Sequence, residues 1–281
     1  MTTVTGQRKR GALSEMNAFL FRNDVRRQRI SFLVWAIILP LMSVFRMAEY
    51  PDFYSKYKTA ADALGEFSTS EIQMFGLDGV DLTTITGYYG ARVFSVLLLL
   101  GAVYVIMQSA TILSKEEDDK TIEFLLVQPL SRTAIVLSKL AVVVFYTNVV
   151  LFLASWLMCV VFQQDGFQMK ALILMSLGSL VVHLMFAAVG FLLSVFVIRS
   201  RTIYPLTIGI ALASYFVELL ANSNDSAKWM TWFSFFSYPN VDEAAKGGQV
   251  MEPTYLIVSL LVIVGGFAAA LVTYRRKDIA A

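Results

Sequence analysis

The chain has 281 residues, 57% of them hydrophobic and 16% charged, with a formal net charge of +2. Soluble domains carry about 25% charged residues, so the composition points to a membrane protein, and the near-neutral balance gives no reason to expect a nucleic-acid partner. A single cysteine, Cys159, and a single histidine, His183, exclude an internal disulfide framework and a metal site built from those residues.

The N-terminal stretch contains Arg8-Lys9-Arg10 but no apolar run directly after it, which is not the pattern of a cleaved signal peptide. The first membrane span is therefore expected to remain as an anchor. Ser14 to Arg29 is amphipathic in character. Met16, Phe19, Leu20 and Phe21 supply the apolar side, and Arg22, Arg26 and Arg29 the polar side. Such a segment predicts a helix lying in the cytoplasmic interface, its arginines against anionic lipid.

A membrane helix needs roughly 20 mostly apolar residues. Six runs qualify: about Ile30 to Phe45 (short, with Pro40 inside), Val93 to Leu113, Ala134 to Phe162, Ala171 to Ile198, Ile203 to Leu220 and Tyr255 to Tyr274. Lipid offers no partner to backbone polar groups, so the spans are expected to be helices, and the runs are too long and continuous for barrel strands. The expected fold is an all-α membrane protein. Residues 1–29 form a cytoplasmic N-terminus with its amphipathic helix, and residues 30–281 form a six-span domain. Outer loops are expected at 46–89 and 221–253. The first is expected to be polar with helix-like stretches such as Ser70 to Phe75, and Gln163 to Met169 to be a tight turn.

Orientation follows from lysine and arginine. With the N-terminus inside, fifteen of them fall on the cytoplasmic side and six on the outer side, leaving aside Arg92 and Lys139 near span ends. Both termini and segment 114–132 are then cytoplasmic, in the membrane of a cell, as expected for a multi-pass protein of a prokaryotic plasma membrane. The outer loop before Pro239 gathers Trp229, Trp232, Phe233, Phe235, Phe236 and Tyr238, which reads as an interfacial aromatic belt, with a short interfacial or re-entrant helix.

Segment 114–132, SKEEDDKTIEFLLVQPLSR, has eight charged residues in nineteen. Ser114 with Glu117 three residues later has the form of a capping box, Glu116 and Lys120 stand at i and i+4 in the favourable order, and the acids 116–119 suit a helix start. These features predict a short helix that either starts near Ser114 or continues from the second span; Pro129 ends it, and Ser131 suits an N-cap for the next span. Ile122, Leu125 and Leu126 fall at i, i+3 and i+4, an apolar stripe that must be covered either by the protein's own helix ends or by a groove on a partner.

The order of an acidic start, Thr121, Glu123, Leu125-Leu126, Pro129 and Ser131-Arg132, followed by Lys139 in the next helix, resembles the signature of ABC-2-type transporter permeases of the short form without a fused ATPase. Lys120 stands where that family usually has glycine. The six spans, the basic amphipathic N-terminus and the basic end Tyr274 to Asp278 are similar to the same family. The resemblance implies an exporter membrane subunit that does no covalent chemistry. It pairs with a second permease copy or a paralogue to form a translocation path, and it is driven by separate cytoplasmic ABC ATPase subunits. Glu116, Glu117, Lys120, Thr121, Glu123, Leu125, Leu126, Pro129, Ser131 and Arg132 would form the ATPase-coupling segment, with the N-terminal helix (Phe19, Arg22, Arg26) beside it.

The sequence contains no phosphate-binding loop of the form GxxxxGK[ST]. ATP and magnesium would then belong to the partner, and no cofactor to this chain. No GxSxG elbow or HExxH pair suggests hydrolysis. Two polar residues remain within spans. His183 suits an interhelical hydrogen bond or a proton relay, and Glu218 is a functional candidate by its cost in lipid or an interfacial acid. Gly178, Gly190 and Gly209 are expected to permit close helix packing. The alternative reading is a non-transporting membrane scaffold or assembly factor whose loop docks another cytoplasmic partner.

Overall fold

The computed structural model describes residues 2–59, 62, 65, 68, 80–118, 132–161, 168–197 and 199–277; the side chains of 2–20, 116, 117, 147–161, 200 and 225 lie outside that description. Among the described residues the regular structure is helical, with a lone antiparallel bridge between Pro239 and Met251. In chain order the helices are α1 (Thr2–Ala48), α2 (Tyr50–Lys56), α3 (Ile85–Tyr88), a π-helix (Tyr89–Phe94), α4 (Ser95–Asp118), α5 (Arg132–Val161), α6 (Met169–Phe196), α7 (Ser200–Ser223), two 3-10 helices (Asp225–Phe233 and Phe235–Ser237), α8 (Val241–Ala245) and α9 (Pro253–Arg276).

Among the described residues five helical stretches are long and apolar enough to cross a membrane: Phe21–Lys56, Ile85–Lys115, Met169–Phe196, Arg201–Ser223 and Pro253–Arg276. They coincide with five of the six expected runs. The remaining run falls on α5, a 30-residue helix whose second half has no described side chains. The bundle wears its apolar side chains outward where lipid would lie. Ile30, Phe45 and Leu261 are each about two-thirds exposed, and Leu33, Ile37, Leu41, Ile257 and Val264 along α1 and α9 are exposed as well. Such a surface is costly in water and neutral in hydrocarbon. The chain is thus a multi-pass membrane protein.

The residues expected to form an interfacial helix and those expected to form the first short span lie on one helix. The helix does not break between them. α1 runs 47 residues, about 70 Å at 1.5 Å per residue, more than twice a hydrocarbon core. The arginines that look like a boundary are tolerated because Arg22, Arg26 and Arg29 are exposed, while Phe21, Asp24, Val25 and Gln28 turn inward at i, i+3, i+4 and i+7. The inward stripe continues through Phe32, Trp35 and Leu39. Pro40 does not break the helix either. The helix runs on to Ala48, and Ser43 Oγ one turn later donates back to the Leu39 carbonyl at 2.8 Å.

At the centre of the bundle α4 lies against α6, which also carries α9, while α7 covers another side of α4 and α1 pairs with α5. Small residues set the closest approach. A Cβ at Gly190 of α6 would lie 2.6 Å from the Ile106 carbonyl oxygen of α4. Gly178 is likewise hemmed in, its Cβ position lying 2.8 Å from Val250. Gly209 differs from expectation: it is exposed and faces open space.

The part of segment 46–89 that the structure describes is more built than the polar loop expected there. Val80, Leu82, Ile85 and Tyr88 are buried, Tyr50 donates its hydroxyl to the Thr83 carbonyl at 2.7 Å, and Arg92 of the π-helix lies over the Phe53 ring at 5.7 Å. Ser70 to Phe75 falls outside the described residues. The aromatic loop divides in two. Trp229, Trp232 and Phe233 are exposed on the first 3-10 helix, whereas Phe236 and Tyr238 are buried, Tyr238 stacking on Tyr255 at 4.7 Å.

Candidate functional site

The charged segment begins in the last turns of α4 and ends at the first residue of α5. α4 continues through Asp118 without a new start, so the helix expected near Ser114 is continuous with the second span, and Ser114 does not cap it. That residue is fully buried mid-helix, and its Oγ donates back to the Ala110 carbonyl at 3.1 Å. Glu116 and Glu117 follow on the same helix, where their side chains are not described, and Lys115 and Asp118 are exposed. Lys120, Thr121, Glu123, Leu125, Leu126, Pro129 and Ser131 lie outside the described residues.

The returning end is fixed by named contacts. Arg132, first residue of α5, donates through one guanidinium nitrogen to the backbone oxygen of Lys277 at 2.5 Å and reaches that of Arg275 at 3.5 Å. Those carbonyls belong to the last turn of α9, where no intrahelical donor remains and the helix dipole is negative. Ile135 and Val136 are buried one turn on. Lys139 follows, only 4% exposed, with its Nζ 3.4 Å from Oδ1 of Asp24, itself 8% exposed on α1. Tyr146 donates its hydroxyl to the Val25 carbonyl, and its ring lies 4.4 Å from that of Phe32. Phe145 meets Phe21 edge-on at 5.9 Å.

Residues 132, 139 and 146 are seven apart, two turns, and so share one side of α5. Their partners put the N-terminal helix, the end of α9 and the returning end of the charged segment at one end of the bundle. The start of α6 lies at the other, where Lys170 approaches Gly247 and the Gln168 amide donates to Thr86 Oγ1 at 3.2 Å.

A cavity of about 270 Å³ opens between α1, α4 and α7, lined in part by Ser31, Trp35, Tyr104, Met107, Gln108 and Tyr204. Gln108 donates to the side-chain oxygen of Gln28 at 2.9 Å, tying α4 to α1 at its edge. The lining is aromatic and polar and carries no ionisable acid or base apart from the tyrosines. Among the described residues no group of His, Cys, Asp and Glu is arranged to hold a metal ion.

The two intramembrane polar residues separate. Nε2 of His183 on α6 lies 3.0 Å from the Leu98 carbonyl on α4, and the ring presses on Gly101, where a Cβ would come within 2.5 Å of Cε1. It joins two core helices and does not reach the cavity. Glu218 is half-buried on α7, a different helix from that of His183.

Sequence reasoning missed Asp24 as a partner for Lys139. The available signal was a lone acid between Phe21 and Arg29, in a segment otherwise rich in arginine, and a lone lysine seven residues after Arg132. Nothing in a single sequence joins positions 115 residues apart.

No curated protein matches the chain. The family model described as "ABC-2 family transporter protein" matches residues 19–279, a stretch that includes the α1 inward stripe, the charged segment, the clamped start of α5 and every membrane-crossing helix. The resemblance drawn from segment 114–132 is thereby borne out, and the chain belongs to the ABC-2 family of transporter proteins.

Proposed function

We propose that this transport subunit works as the permease of an ABC exporter. Six helices span the membrane, both termini are cytoplasmic, and segment 114–132 receives the motion of separate ATPase subunits. A second copy, or a related chain, completes the translocation path, and ATP with magnesium is held by the partner. The observation that carries the reading is the treatment of the charged segment. It is dense in acids, it carries an apolar stripe, and it leaves α4 on exposed turns and returns through an α5 start tied to α1 and α9. The absence of a phosphate-binding loop supports assigning hydrolysis to another chain. The positive bias at the end that holds Arg132 and Arg275 to Lys277 supports a cytoplasmic location for it.

Affinity purification of the full chain in mild detergent tests this directly. An ATPase subunit with a phosphate-binding loop should copurify with it. Glu117→Lys or Leu125→Asp should reduce its recovery about tenfold or more, as for a reversed charge or a buried carboxylate at a docking surface, each costing 1.4 kcal/mol or above. Membrane insertion should be unchanged. Full recovery of the ATPase, with stimulated hydrolysis intact in both variants, refutes the docking role.

A further inference from the structure

We infer that Asp24 and Lys139 are positioning residues, a buried ionic joint that passes movement of segment 114–132 from α5 into α1. The inference rests on the coupling reading above and names how the coupling continues inside the chain.

Three observations lead to it. The first is rigidity: α5 is an unbroken helix from Arg132, so Lys139 lies about 10 Å along a stiff rod from the end of the segment. The second is burial. The carboxylate and ammonium are 10% and 5% exposed and 3.4 Å apart, on two helices whose Phe21, Val25, Val142 and Val143 belong to one apolar cluster. A buried ion pair is weak evidence for stability, because desolvation opposes the attraction, but it is directional and fixes register. The third is reach. α1 is continuous from Asp24 to Ala48, about 36 Å, so a displacement received at Asp24 is delivered across the membrane and along the wall of the cavity that Ser31 and Trp35 line. Arg132 performs the matching task toward α9, holding the carbonyl end of that helix.

The joint predicts a charge requirement separate from ATPase docking. The full permease and its ATPase are reconstituted in lipid nanodiscs. Lys139→Met and Asp24→Asn should leave the ATPase bound within about twofold of the native complex while lowering permease-dependent ATP hydrolysis about tenfold. Lys139→Arg should keep hydrolysis near native, and the exchanged pair Asp24→Lys with Lys139→Asp should recover most of what either single reversal loses. Amide hydrogen exchange on the permease alone supplies a readout free of the partner. Lys139→Met should speed exchange in 21–29 and 132–146, and Lys139→Arg should not. Loss of hydrolysis shared equally by Lys139→Arg and the exchanged pair overturns the inference, since volume and not charge would then matter. Loss of ATPase binding in step with hydrolysis overturns it in favour of a docking role. Native exchange and native hydrolysis in Lys139→Met overturn it outright. If the native chain brings down no ATPase, the coupling reading fails, and the exchange comparison of Met with Arg still decides whether the charge joins α1 to α5.

Discussion

Replacing Gly190 by alanine is the sharpest test of how the core of the bundle is held. An alanine Cβ there would sit 2.2 Å from Ser109 Oγ and 2.6 Å from the Ile106 carbonyl oxygen, against an ordinary contact of 3.4 Å or more. The serine hydroxyl can rotate away, giving up its 2.8 Å bond to the Val105 carbonyl. The Ile106 oxygen is backbone within α4 and moves only if the helix moves. α4 and α6 must therefore part by roughly 0.8 Å, the difference between 2.6 and 3.4 Å, and overpacking of that kind costs about 1–3 kcal/mol. Membrane helices gain nothing from apolar area against lipid, so lost close packing is not recovered elsewhere. Reversible unfolding by detergent titration in bicelles, followed by tryptophan fluorescence, should show that loss. Ser109→Ala in the Gly190→Ala background should return only part of it, because the carbonyl contact persists. Gly209→Ala is the control. Its Cβ meets nothing within 4 Å, and the change should be neutral or stabilising by less than about 1 kcal/mol through helix propensity. Equal effects at Gly190 and Gly209, or a loss under about 0.5 kcal/mol at Gly190, refute the close-approach argument.

Two further outcomes follow from side chains that the sequence singled out. His183→Leu removes the 3.0 Å bond to the Leu98 carbonyl and should cost about 0.6 kcal/mol, and no more than about 1.7, the range for interhelical hydrogen bonds in membranes; a larger loss in the same titration would show that the ring does more than join α4 to α6. Trp229, exposed on the outer 3-10 helix, should sit at headgroup depth as interfacial tryptophans do. In a variant keeping only that tryptophan, lipid brominated near the headgroup should quench its fluorescence more than lipid brominated near the chain end, and the reverse order would place it in the hydrocarbon.

Much of the fold was legible because the spans are long and continuous, and composition alone separates such helices from barrel strands or a soluble core. The inward stripe of α1 is a different case: Phe21, Val25, Phe32 and Leu39 do repeat at helical spacing, but the arginines between them and the apolar residues around them mask it. What misled was treating the arginines at 22–29 as a boundary. Charge marks where a helix leaves hydrocarbon, not where its hydrogen bonds stop, so α1 runs through the change of solvent. Ser114 misled similarly. A serine before acids suits a cap, yet here a preceding turn was already in place and its hydroxyl bonds backward to Ala110. The π-helix at Tyr89–Phe94 has no local signature, since one wide turn depends on what packs around it. The partnership of Asp24 with Lys139 was illegible because it depends on which helices lie side by side, and hydropathy reports only that each enters the membrane.

The pairing of α1 with α5 shows what the ionic joint adds to packing. Asp24 meets Lys139 and Phe32 meets Tyr146, eight residues further along one helix and seven along the other, so the two run parallel and in step. Two parallel helices touching through phenylalanine, valine and leucine can slide along their axes at little cost, because each displaced contact finds another of the same kind. The polar contacts oppose sliding in both directions. The Asp24 side chain leans toward the N-terminus of α1 and is met by Lys139. The Val25 carbonyl points toward the C-terminus and is met by Tyr146, about 10 Å further out along α5. Those two contacts, one to a side chain and one to a backbone carbonyl, fix the register of α1 against α5, the register on which the proposed joint depends.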